Sequence, residues 1–97
     1  MDRFFAHRGT SFVWNEAKAE TNMQKHGISF EEAAEVFFDP FYQTGDASVA
    51  DEERDFVIGY SLAQRLLLAV YVIRLQRTRI ISARPATRME RKLYEAA

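Results

Sequence analysis

At 97 residues, 47% of them hydrophobic and 28% charged, the chain has material for one domain around one modest core and too little for two. It contains no cysteine, which excludes disulfides, thiolate metal sites and cysteine nucleophiles and fits a reducing compartment. The formal net charge of -1 hides a steep asymmetry: residues 1–64 carry 5 basic and 12 acidic side chains, residues 65–97 carry 8 basic and 2 acidic. The C-terminal third can therefore face a polyanion, while the remainder repels one or binds a basic partner.

In chain order, residues 1–11 place Arg3, His7 and Arg8 around Phe4 and Phe5 and lack the apolar stretch of a signal peptide. They read as a ragged N-terminal extension, with 12–97 as the single domain. Phe12-Val13-Trp14 is a short strand, and Asn15 can cap the helix that follows. Trp14, at a strand end, reads as a core anchor rather than a base-stacking platform. Helix formers from Glu16 to His26 end at Gly27, the residue best suited to a left-handed position. Ser29-Phe30-Glu31-Glu32 has the form of a capping box, which opens a second helix with a core stripe of Phe30, Ala33, Ala34 and Phe37. Asp39-Pro40 stops it. Residues 41–54, with Gly45 and an acidic cluster of Asp46, Asp51, Glu52 and Glu53, read as one strand edge and an exposed loop. Strands are expected at Phe56–Tyr60, Leu66–Ile73 (buried on both faces) and Arg77–Ala83, joined by short hairpins into an antiparallel meander. After Pro85, Thr87-Arg88-Met89-Glu90 is a second capping box, opening a C-terminal helix on Met89 and Leu93. The fold class is thus α+β. The longest apolar run, Leu66–Ile73, is far short of the roughly 20 residues of a membrane span, so a cytoplasmic location is expected.

Two constellations can carry chemistry. Lys18, Asn22, Lys25 and His26 share one face of the first helix over about two turns, either as a solvated surface or as a grip on a phosphate backbone. Arg77, Arg79, Arg84, Arg88, Arg91 and Lys92 form the second, interleaved with Ser82 and Tyr94. Strand alternation sets Arg79 and Arg84 on opposite faces unless the strand bends near Pro85. The arginine fork grips phosphate in two bonds and keeps its charge; alternatively these arginines pair with Glu31, Glu32, Glu35 and the acidic loop. RNA cleavage needs a proton taken from a 2′-hydroxyl, a stabilised phosphorane and a proton given to the 5′-oxygen. Arginine and lysine supply the second by electrostatics. His26, Glu90, Tyr94 or a lysine of lowered pKa are the candidates for the proton steps. No metal, nucleotide-loop or nucleophile-elbow motif is present, and no cofactor or metal is expected.

The chain resembles the BrnT family at four linked places. They are Phe12-Val13-Trp14-Asn15 with Lys18 and Asn22; Lys25-His26-Gly27-Ile28-Ser29-Phe30-Glu31-Glu32-Ala33; Arg79-Ile80-Ile81-Ser82-Ala83-Arg84; and Ala86-Thr87-Arg88-Met89-Glu90-Arg91 with Tyr94-Glu95. The resemblance implies a RelE-like fold and a metal-independent endoribonuclease that arrests translation. It also implies neutralisation by a BrnA-type ribbon-helix-helix antitoxin, two toxins with two antitoxins, with operator DNA reached only through the antitoxin. The alternative is a non-catalytic or degenerate member that only binds antitoxin or nucleic acid. Carried over by position, Lys25, His26, Arg79, Arg84, Glu90 and Tyr94 become catalytic candidates, and Lys18, Asn22, Ser82, Arg88 and Arg91 RNA-binding ones. Two positions depart from the family pattern: Asn15 stands where Asp is common, and Pro85 follows Arg84 where a basic residue or another side chain is usual.

Overall fold

Asn15 decides where the first run of extended chain becomes helix: its side chain accepts from the Lys18 amide at 3.0 Å, satisfying one of the free N–H groups of the first turn. In the computed structural model, which describes residues 1–96, α1 (Glu16–His26) runs from this cap to Gly27, whose φ of 68° is left-handed. Gly27 donates back to Met23 O. Ser29 caps α2 (Phe30–Glu35) by accepting from Glu32 N at 3.0 Å, and a 3-10 turn, Val36–Phe38, carries on to Asp39. The expected capping box is only half formed. The Glu32 carboxylate turns away to accept from Ser61 Oγ at 2.7 Å and Arg65 Nε at 2.9 Å, because a charge-assisted bond to arginine outweighs one to a backbone amide. At α3 (Arg88–Glu95) both halves of the Thr87/Glu90 box are present.

The expectation of a ragged N-terminal segment is corrected. Residues 2–7 form β1 (Asp2–His7), which pairs with β2 (Thr10–Asn15) as an antiparallel hairpin. Arg8 and Gly9 in the connecting turn both have positive φ, as a two-residue hairpin turn requires. The hairpin is sealed by Phe5, whose ring packs at a tilt against Phe12 and Trp14 with centroids 6.5 and 5.7 Å away.

The remaining strands are β3 (Gln43–Asp46), β4 (Asp55–Tyr60), β5 (Leu66–Arg74) and β6 (Arg77–Pro85). They complete a six-stranded sheet of order β1-β2-β6-β5-β4-β3. The meander of β4, β5 and β6 is antiparallel as expected. It is extended by β3 at one edge, and β2 joins it beside β6 in parallel through Phe12↔Thr78 and Val13↔Arg79. α1 and α2 cover one face, where Phe12, Trp14, Phe30, Leu67, Tyr71 and Ile80 form the main core. Each such large side chain removed from water contributes about 1.5–3 kcal/mol. On the other face Ile58, Leu66 and Leu68 form a smaller cluster, against which Tyr60 and Tyr94 pack. Leu66–Ala69 are accordingly buried on both faces.

β2 accompanies β6 for only two residues before turning into α1, and Asn22 takes over the edge it leaves. The Asn22 amide accepts from Ala83 N at 3.0 Å, donates to Ala83 O at 2.8 Å, and donates to Ile28 O at 3.1 Å. One side chain thus supplies the two bonds that a neighbouring strand would have made. Asn22→Ala should cost about 3 kcal/mol of stability in a denaturant melt, since it strips partners from buried backbone groups. A loss below about 1 kcal/mol would show that solvent replaces the amide there.

Candidate nucleic-acid interface

The register of β5 against β6 shifts between Val70 and Tyr71: Tyr71 pairs with Ile80, Val70 with Ser82, and Ile81 is the extra residue of a β-bulge. This reverses strict alternation and overturns the expectation that Arg79 and Arg84 oppose each other; the cause is this slip at Ile81 and not a bend near Pro85, which stays paired with Leu67. Ile80 and Ala83 both point into the main core. Arg79, Ser82 and Arg84 pair with Val72, Val70 and Leu68, and side chains of directly opposed residues share a face. All three therefore lie on the face that α1 and α2 leave uncovered, with the arginines about 15 Å apart along the strand.

Each arginine is held by a carboxylate. Arg84 donates to Glu90 through both Nη atoms, at 2.7 and 2.8 Å, and Arg79 makes the same two-pronged contact to Asp2 at 3.2 and 2.7 Å. The Arg84 guanidinium, aided by the Thr87 amide, keeps Glu90 below the usual carboxylate range, so Glu90 is ionised at neutral pH. The acidic partners differ from those expected: of the suggested group, Glu32 pairs with Arg65 and Glu52 with Arg54. The loop carrying Asp51, Glu52 and Glu53 instead lines, together with Arg74 and Arg79, an open cleft of about 560 Å³.

Of the helix α1 candidates, Lys18 and Lys25 are exposed and line, with Thr21, Ile81 and Ser82, a shallow groove between α1 and β6. Asn22 forms the floor of that groove but is 6% exposed, and its amide is fully engaged in holding β6. It acts on the site by position. His26 is exposed in the last turn and is not part of the groove wall. Arg88 is exposed, and Arg91 donates to the Tyr60 hydroxyl at 3.2 Å. Trp14 is 1% exposed, a core anchor as expected.

Tyr94 brings in a residue that sequence reasoning took only for a helix stop. Its hydroxyl donates to Asp39 Oδ2 at 2.6 Å, and the same oxygen accepts from Tyr60 N at 2.8 Å. Tyr60 packs edge-on against the Tyr94 ring. Burial and then the Asp39 carboxylate push the Tyr94 phenol up to about 12, so at neutral pH it is a donor and not a base. Burial alone would raise Asp39, but the bonds from Tyr94, Tyr60 and Phe41 outweigh it and hold the carboxyl below its ordinary value. The S-x-x-E and T-x-x-E patterns gave no hint of this junction; an aspartate before proline, able to accept from several amides, was the available signal. Among the described residues no group of three or more His, Asp or Glu side chains converges as metal ligands would, and no helix is long and apolar enough to cross a membrane.

A sequence model described as the ribonuclease toxin BrnT of type II toxin–antitoxin systems matches residues 14–90. The chain belongs to the BrnT family. It is thereby placed among ribonuclease toxins that work with an antitoxin partner. The fold agrees. The chain is similar to the crystal structure of the Brucella abortus ribonuclease toxin BrnT, with a TM-score of 0.59 and 23% identity over 77% of this chain and 94% of that one. A search of curated proteins finds no match. The matched span includes α1, the whole of β6 and the start of α3, and leaves β1 outside it.

The tyrosine network makes a pH-dependent prediction. A folded phenol near 12 keeps its proton where an unfolded tyrosine near 10 has lost it, so this contact's contribution to stability is lost as pH rises from about 10 to about 12. Carbon-13 NMR of the tyrosine ring should show Tyr94 titrating last, and Asp39→Asn should move it back toward 10. A wild-type Tyr94 that ionises near 10 would contradict the network.

Proposed function

We propose that this chain is a metal-independent endoribonuclease of RelE-like fold that arrests translation by cutting RNA. Its antitoxin is of the BrnA ribbon-helix-helix type, assembling two with two toxins in the cytoplasm and carrying the complex to operator DNA. The observation that supports this most strongly is the β-bulge at Ile81, which aligns Arg79, Ser82 and Arg84 on the open face of the sheet. A single RNA strand laid along β6 would meet these groups in succession, with Lys18 and Lys25 flanking it across the α1 groove.

In this reading Lys25, Arg79 and Arg84 bind phosphate and stabilise the phosphorane, whose charge develops on oxygens that a guanidinium fork matches in shape. Glu90, ionised and beside Arg84, suits the acceptance of the 2′-hydroxyl proton. His26, whose imidazole can donate a proton as well as accept one, suits its return to the 5′-oxygen. Tyr94 positions or stacks on a base, while Arg88 and Arg91 contact the backbone at the head of α3. Asn22 keeps β6 in place beneath the strand. Arginine and lysine carry charge stabilisation that in other nucleases falls to a cation, which is the chemical basis for expecting activity without metal.

The purified chain should cut total bacterial RNA in EDTA and lose that activity when premixed with its antitoxin. Simultaneous Arg79→Ala and Arg84→Ala should reduce cleavage about 100-fold or more and relieve growth arrest. A folded double mutant that still cuts and still arrests growth would reject the assignment. A wild type that binds RNA yet cuts none, free or on ribosomes, would make the chain a binding module.

A further inference from the structure

Two arginines at the N-terminal end of β6 are occupied by a single strand from outside the matched body of the family. Asp2 holds Arg79 through both carboxylate oxygens, at 3.2 and 2.7 Å, and the Phe4 ring lies under Arg77, 5.1 Å from the guanidinium carbon to the ring centroid. Both contacts come from β1, which precedes residues 14–90. The two-pronged carboxylate contact has the geometry by which a guanidinium takes phosphate, so Asp2 sits where an RNA phosphate would bind.

We infer that Asp2 sets the affinity of this toxin for RNA: its carboxylate competes with a backbone phosphate for Arg79 and weakens substrate binding. This rests on the reading of β6 as the RNA track. The competitor is anchored, since Asp2 pairs with Asn15 in the β1–β2 ladder and cannot diffuse away as a free anion would. It is also displaceable. The Asp2 side chain is 40% exposed and that of Arg79 29%, so an incoming phosphate can reach the guanidinium from solvent as the carboxylate rotates out. Binding then exchanges one ion pair for another instead of creating one, and the gain is correspondingly smaller.

The test is a fluorescence-anisotropy titration of a labelled 2′-O-methyl RNA oligonucleotide, which cannot be cleaved, with the full chain at several salt concentrations. Asp2→Asn keeps the shape of the side chain and removes its charge. It should tighten binding about threefold to fivefold, the worth of an exposed ion pair. It should also steepen the slope of log affinity against log salt by about 0.7, one additional phosphate on a single strand. Both effects should vanish in an Arg79→Ala background. Unchanged or weaker binding by Asp2→Asn would overturn the inference, as would an equal gain when Arg79 is absent, which would reflect net charge alone. If Arg79→Ala binds RNA as tightly as the wild type, the track itself is wrong, a result separable from failure of the Asp2 argument.

Discussion

β6 meets three kinds of partner along its length, and the arrangement of cations depends on that succession. β5 pairs with it throughout, β2 lies against its first residues, and the Asn22 amide closes the edge at Ala83. Between the last two supports comes the bulge. Were β6 to continue from Tyr71↔Ile80 without the slip at Ile81, Ser82 would take the place opposite Ala69 that Ala83 fills, and Arg84 would lie opposite Leu67, on the face of the main core. Burying an unpaired guanidinium there would cost several kcal/mol. A one-residue insertion in the ladder therefore separates a strand with a buried charge from a strand with two outward arginines.

The charge asymmetry of the sequence is resolved locally in the fold. Arg79, Arg84 and Arg65 are paired with carboxylates from β1, α3 and α2, respectively, so the basic third does not present bare charge along its whole length. Among the described residues Lys18, Lys25 and Arg88 make no such pair, and these lie on the groove wall and at the start of α3. Any polyanion would first be drawn to the unpaired cations by long-range attraction, which falls off over a Debye length of about 10 Å. The paired ones engage only at contact.

Much of the fold could be read from residues whose role is local. Asn15, Ser29 and Thr87 cap helices with their own neighbours, and Gly27 ends one with its own backbone. Their signals needed no knowledge of distant contacts. What escaped was set by residues far apart in sequence. Glu32 abandons its capping box for Ser61 and Arg65, about thirty residues on. Asp39 joins Tyr60 and Tyr94, and Asn22 reaches Ala83. β1 escaped because Phe4-Phe5 breaks the alternation by which half-buried strands are recognised, and the bulge because alternation carries no mark where it slips. The candidate site was thus legible as a roster of cations, while the pairing of those cations was not.

β5 carries a consequence for how the chain reaches this state. Leu66–Ile73 is eight residues with no charge, no proline and no glycine, the composition of segments that stack into intermolecular β-structure when exposed. In the native sheet it is enclosed between β4 and β6 and covered by α2 on one side, but it gains these neighbours only after β6 has emerged and folded back. Arg65 and Arg74 stand directly at its two ends, where like charges resist self-association of incompletely folded copies. These two arginines thus act before the fold is complete as gatekeepers of solubility, and Arg65 afterwards becomes a clasp between the turn before β5 and the junction of α1 with α2.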